Sequence, residues 1–166
     1  RADRHVILPG VGAAGAAMHR LRVLELVEVI PALDQPVLGI CLGMQLLFEE
    51  GEEDGVSRGL GLLPGRVTKL PTAPGISVPH VGWQRVERTG VTGFADPVAA
   101  PWLYFSHSYY AVPSEPSVVA ARVHHGVSVP ALVKRGAVYG IQPHPEKSGR
   151  DGEALLAWFA SVGDGR

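Results

Sequence analysis

The chain has 166 residues, 46% of them hydrophobic and 19% charged, with a formal net charge of −1; that is ordinary for one domain built on a single core. No Lys/Arg cluster interleaves with aromatics, which argues against nucleic acid or an anionic membrane as a partner. No apolar run approaches the roughly 20 residues that span a bilayer.

Residues 5–8 form a short apolar run that stops at Pro9-Gly10-Val11-Gly12, and residues 13–30 place Met18, Leu21, Leu24, Val27 and Ile30 on a 3.6-residue period. The pattern predicts strand, glycine loop, helix. Such a loop is most often only a turn, but at the C-terminal edge of an open α/β sheet it can also present backbone N–H groups to a ligand. Residues 35–50 repeat the unit: Val37, Leu38 and Ile40 suit a strand buried on both faces, and Leu42, Gln45, Leu46 and Glu49 continue at helical spacing until Gly51. Two βα units in series predict a doubly wound, mostly parallel sheet with helices on both faces.

Between the second strand and its helix stands G-I-C-L-G, residues 39–43. This is the cysteine form of the nucleophile elbow, in which small residues two before and two after the nucleophile let the backbone turn sharply. The alternative is a small buried hydrophobe. At a helix N-terminus the free N–H groups and the dipole are expected to favour the Cys41 thiolate. A lone cysteine cannot close an internal disulfide and no signal-peptide core opens the chain, so a reducing cytoplasm is the expected compartment.

After Gly51 the style changes to short β-rich runs broken by Gly and Pro, at residues 66–70, 82–87, 102–105, 109–112, 118–124, 131–134 and 137–142, with Arg135-Gly136 as a hairpin turn; these predict a β-rich antiparallel insertion. The last strand runs into Q-P-H-P-E-K-S. In extended backbone His144 and Glu146 share a face, so the carboxylate can hold the imidazole as an acid–base pair; a solvated His and Glu on a loop is the plainer alternative. Residues 151–162 predict a closing helix with Leu155, Leu156, Trp158 and Phe159 toward a core. A metal site using His107, His124, His125 and His144 lacks any H-x-x-x-H or H-E-x-x-H spacing, so no metal and no cofactor is expected.

With Cys41 in G-I-C-L-G-M-Q and His144 and Glu146 in H-P-E, the chain resembles the class I (triad) glutamine amidotransferases over nearly its whole length. Within them it looks like the glutaminase subunits of imidazole glycerol phosphate synthase, in P-G-V-G at residues 9–12, C-L-G-M-Q-L-L-F-E at 41–49, P-H-V-G-W at 79–83, Y-F-S-H-S-Y at 104–109 and H-P-E-K-S at 144–148. Sister glutaminases of GMP, carbamoyl phosphate and pyridoxal phosphate synthesis share the nucleophile and H-P-E but are not expected to combine P-H-x-G-W with H-S-Y.

The resemblance implies hydrolysis of L-glutamine by Cys41, His144 and Glu146, with oxyanion donors from Leu42 and from Val11 or Gly12. It implies substrate contacts from Gly10, Gly12, Gln45, His107, Ser108 and Tyr109, and a heterodimer with a (β/α)₈ cyclase subunit that meets Trp83, Tyr104 and Lys147. Two residues depart from the family pattern: Gln84 stands where Asn is usual, and Pro143 where Phe is usual. Two other readings are a catalytically silent partner-binding domain and a cysteine peptidase or amidase-like hydrolase on a related fold. The chain starts with Arg and reaches an apolar strand by about its fifth residue; residues 1–166 are expected to be one domain, preceded in relatives by a strand, a helix and a second strand. Without those, residues 5–8 would form an unpaired apolar edge.

Overall fold

The computed structural model describes residues 4–95 and 100–163; residues 1–3, 96–99 and 164–166 of the expected single domain lie outside the described residues. The first βα unit is β1 (Val6–Leu8) followed by α1 (Ala14–Val23). The expected single helix over 13–30 is broken: Glu25 adopts a left-handed conformation (φ 57°), its N–H closing back on the Arg22 carbonyl, and a short α2 (Leu26–Val29) and a 3₁₀ turn (Ile30–Ala32) follow. This is a helix C-terminus of the left-handed kind, with Arg20 and Arg22 in the last turn where the dipole favours cations. It leaves Leu24 half exposed, while Met18, Leu21 and Ile30 are buried as the period predicts.

The second unit is β2 (Val37–Ile40) and α3 (Leu42–Leu46). Here the expected helix to Gly51 stops early, and β3 (Phe48–Gly51) pairs with β4 (Ser57–Arg58) and, in parallel, with β5 (Leu63–Lys69). Leu46, Leu47 and Phe48 are all buried, so the run fits no single helical face. The Leu47 carbonyl, free at the end of α3, accepts the Leu62 and Leu63 N–H groups and starts the sheet. The β-rich region continues as β6 (His80–Arg85), β7 (Glu87–Arg88), β8 (Trp102–His107), β9 (Tyr109–Pro113), β10 (Val119–His125), β11 (Val127–Arg135) and β12 (Val138–Ile141), and the chain closes with α4 (Gly149–Ser161). Gly136 (φ 58°) turns the β11–β12 hairpin at the expected place.

The main sheet runs β1-β2-β12-β11-β10-β7. Only β1/β2 and β2/β12 are parallel, and the remaining neighbours are antiparallel, so the sheet is mixed rather than mostly parallel. Strands buried on both faces, as expected for β2, build two cores. Val37 and Val133 pack with Met18, Leu21 and Met44 on the face of α1 and α3, whereas Leu38, Leu132, Tyr139 and Ile141 pack with Leu155 and Phe159 of α4 on the other. Helices therefore cover both faces, as expected. Strand β1 is an edge strand of this sheet, and its Ile7 is half exposed. Among the described residues no helix is long and apolar enough to cross a membrane.

The parallel strands β1, β2 and β12 end side by side, at Pro9, Cys41 and Gln142. A β-carbon on Gly43 would stand 1.7 Å from the Leu8 carbonyl oxygen, and one on Gly39 would stand 2.5 Å from the Gly43 carbonyl oxygen. Both glycines of the elbow are therefore demanded by backbone approach. Gly43→Ala is expected to lower stability by about 3 kcal/mol or more, at the upper end of overpacking effects; equilibrium urea unfolding compared with the parent checks this.

Candidate active site

Cys41 follows the last residue of β2, with φ 52° and ψ −110°, and its N–H is held by the Ile141 carbonyl of β12 at 2.7 Å. Positive φ at a non-glycine residue is strained backbone, maintained here by the glycine contacts on either side. The side chain lines a cleft of about 400 Å³, and His144 stands on the same cleft wall region. His144 Nδ1 lies 2.7 Å from Glu146 Oε1. The pair forms through a 3₁₀ turn, Pro145–Lys147, and not through the extended backbone expected from its spacing. With Nδ1–H donated to the carboxylate, the neutral imidazole leaves Nε2 as the proton acceptor.

Two buried contacts fix His144. Its N–H donates to the Tyr104 carbonyl at 2.8 Å, and the Ser148 hydroxyl, which donates to the His144 carbonyl, accepts the Tyr104 N–H at 2.9 Å. Ser148 is thus a positioning residue that sequence reasoning passed over.

Burial pushes the Cys41 thiol up to about 11; the Leu42 N–H hydrogen bond and the charge of Lys147 pull the other way, and the charge of Glu146 adds to the rise. The expected thiolate is therefore not the resting form. Desolvation outweighs what the Leu42 N–H at the start of α3 contributes. For this sulfur to act as a nucleophile, a base would have to take its proton.

Of the other expected residues, Val11, Gly12, Leu42, Gln45, His107, Ser108, Tyr109 and Lys147 all line the cleft. Gly10 lies beside it: a β-carbon there would be 3.1 Å from that of Leu42, so the P-G-V-G loop leans on the residue after Cys41. Trp83 and Tyr104 pair edge-to-face across β6 and β8 (centroids 6.0 Å) on the outer surface and do not line the cleft. Gln84 Nε2 donates to the His124 carbonyl at 2.9 Å, so its amide is engaged within the chain. Among the described residues no group of three or more His, Cys, Asp or Glu could hold a metal ion.

His107 reaches the cleft but both of its ring nitrogens are occupied. Nδ1 donates to the Tyr109 carbonyl at 2.8 Å, and Nε2 therefore accepts from His80 Nδ1 at 3.1 Å. The same carbonyl accepts Gln45 Nε2 at 2.9 Å, and Gln45 Nε2 also reaches Gln142 Oε1. So Gln45 has only its carbonyl oxygen to offer a ligand. Glu53, on the loop after β3, is a second residue that sequence reasoning missed: it lines the cleft, and its Oε2 accepts the N–H of Ala14, capping α1 across 39 residues. Helix α1 has neither a side-chain cap of its own nor an acidic residue in its first turn, the one local sign that a carboxylate must come from elsewhere.

A cleft that holds a cysteine at a strand-to-helix elbow and a histidine oriented by a carboxylate has the side chains that acyl transfer from an amide requires. The chain matches the model of class-I glutamine amidotransferases over residues 1–161, and it belongs to that family. Among curated proteins it is 53% identical over 161 residues to the imidazole glycerol phosphate synthase subunit HisH of Lactiplantibacillus plantarum, spanning 95% of this chain and 76% of that one. The corresponding subunit of Synechococcus elongatus is 46% identical, over 94% and 74%. Among solved structures the fold is similar to that of PurLQS from Thermotoga maritima, with a TM-score of 0.70 at 20% identity, covering 95% of this chain and 79% of that one.

Burial, followed by the neighbouring charge of His107, holds His80 down to about 4, and burial likewise holds His107 down to about 4. Both pKa values are depressed from an ordinary 6.5, so the fold favours the neutral rings and the unfolded chain binds more protons between the two values. Stability should be undiminished above about pH 6.5 and fall as pH drops toward 4, by up to about 1.4 kcal/mol per unit for each histidine. Urea midpoints at pH 7.5, 6 and 5 measure this, and His80→Asn should flatten the slope.

Proposed function

We propose that Cys41, His144 and Glu146 are the catalytic triad of a glutaminase, acting as the glutaminase subunit of imidazole glycerol phosphate synthase. The observation that carries the reading is that an elbow cysteine and a histidine line one cleft, the histidine being held by Glu146 at 2.7 Å. In this reaction Cys41 Sγ attacks the carboxamide carbon of L-glutamine while His144 Nε2 takes its proton, and Glu146 stabilises the imidazolium through Nδ1–H. The oxyanion accepts from the Leu42 N–H and from Val11 or Gly12, each such donor being worth about 3–4 kcal/mol of barrier. His144 then protonates the leaving ammonia, and water hydrolyses the glutamyl thioester. The Gln45 carbonyl oxygen and the Glu53 carboxylate suit the α-ammonium group; the Ser108–Tyr109 segment takes the carboxylate end.

The ammonia passes to a cyclase subunit. The outer face of β6 and β8 supports that reading: Val81, Trp83 and Trp102 are each 53% exposed, and Tyr104 in the same sheet holds the N–H of His144. Contiguous exposed aromatic surface is an interface signature. A partner seated there would press on the strand that positions the catalytic base.

Cys41→Ala should abolish both ammonia release from glutamine and mass addition by an electrophilic glutamine analogue; full ammonia release by that variant would overturn the triad. Glu53→Gln is expected to raise the KM for glutamine about tenfold, with a smaller change in kcat, because one charge-assisted contact to the substrate is lost. Adding the cyclase with its nucleotide ligand should raise ammonia release, and Trp83→Ala should weaken cyclase binding by about tenfold or more in a titration.

A further inference from the structure

Gln142 directly follows β12, is fully buried, and takes no part in the steps above. Its N–H is tied to the Ala131 carbonyl at 2.9 Å. Its side-chain Nε2 lies 3.8 Å from Cys41 Sγ, and its Oε1 lies 3.1 Å from Gln45 Nε2. The far end of this chain of contacts sets its direction. A backbone carbonyl can only accept, so Gln45 turns its amide nitrogen to Tyr109 O, and the second hydrogen of that nitrogen meets Gln142. Gln142 must then give its oxygen to Gln45 and its N–H to the sulfur.

We propose that Gln142 is a further catalytic group, whose buried side-chain N–H holds the Cys41 sulfur and stabilises it as a thiolate during attack. The proposal rests on Cys41 being the nucleophile. A thiol sulfur is a weak acceptor and a thiolate a strong one, so the bond strengthens as the proton leaves for His144. An interaction stronger in the transition state than at rest accelerates the step. The sulfur needs such help, because its burial favours the neutral thiol and the Leu42 N–H must also serve the oxyanion.

Gln142→Glu keeps the size and the oxygen that Gln45 requires but replaces the N–H facing the sulfur with an acceptor. Gln142→Met removes both. In the intact chain, alkylation of Cys41 by iodoacetamide, followed by mass at several pH values below the thiol midpoint, should slow about tenfold in each variant, as for a midpoint raised by about one unit. The kcat for ammonia release should fall about tenfold or more, with KM within about threefold. Alkylation within twofold of the parent, in either variant that keeps the parent's circular dichroism, would overturn the proposal. So would failure of both variants to fold, which would make Gln142 a core residue. Alkylation needs no turnover, so a parent chain that releases no ammonia would sink the glutaminase reading and leave this comparison standing.

Discussion

The approach of Gly43 to the end of β1 is the constraint on which the site depends. Nothing larger than hydrogen fits between the α-carbon of Gly43 and the Leu8 carbonyl oxygen, and Gly39 meets the Gly43 backbone on the other side. With strand and helix this close, Cys41 has to bridge them in a conformation that L-residues avoid. The same contact sets the exit of β1, so the P-G-V-G loop arrives with Gly10 against Leu42, and Val11 and Gly12 line the cleft that holds Cys41. One backbone contact thus locates both Cys41 and the P-G-V-G loop.

Around that point the protein uses neutral, directional groups. Tyr109 O collects one hydrogen from His107 and one from Gln45, and these two bonds determine the tautomer of one ring and the orientation of two amides. No charge is buried to achieve this, which avoids the several kcal/mol that an unpaired ion would cost. Among the described residues no buried side-chain nitrogen or oxygen lacks a partner. A network satisfied throughout has one arrangement, and that is how a short loop and two strand ends can hold reacting atoms in place.

What could be read from the sequence was what lies within a few residues. The elbow is five residues long and H-P-E three, so the sharp turn at Cys41 and the His144–Glu146 pair were legible, as were β1, β2, the β11–β12 turn and the two-sided core. What escaped depends on partners far along the chain. Phe48 belongs to a strand because Leu63 is there to pair with it, although its neighbours look helical. The end of α1 is decided by a left-handed Glu25 that no glycine announces. Glu53 reaches the cleft through a helix end 39 residues earlier, Gln142 faces a sulfur 101 residues away, and the state of Cys41 turned on burial, which motif spacing does not report.

Keeping Cys41 protonated has a further chemical result. Peroxide and disulfides react with the thiolate, and the first product of peroxide, the sulfenic acid, leads on to forms the cell cannot readily reverse. Cys41 is only 8% exposed, and burial pushes its thiol up to about 11, which favours the protonated form at neutral pH. Burial of Cys41 therefore works against oxidation of its thiol.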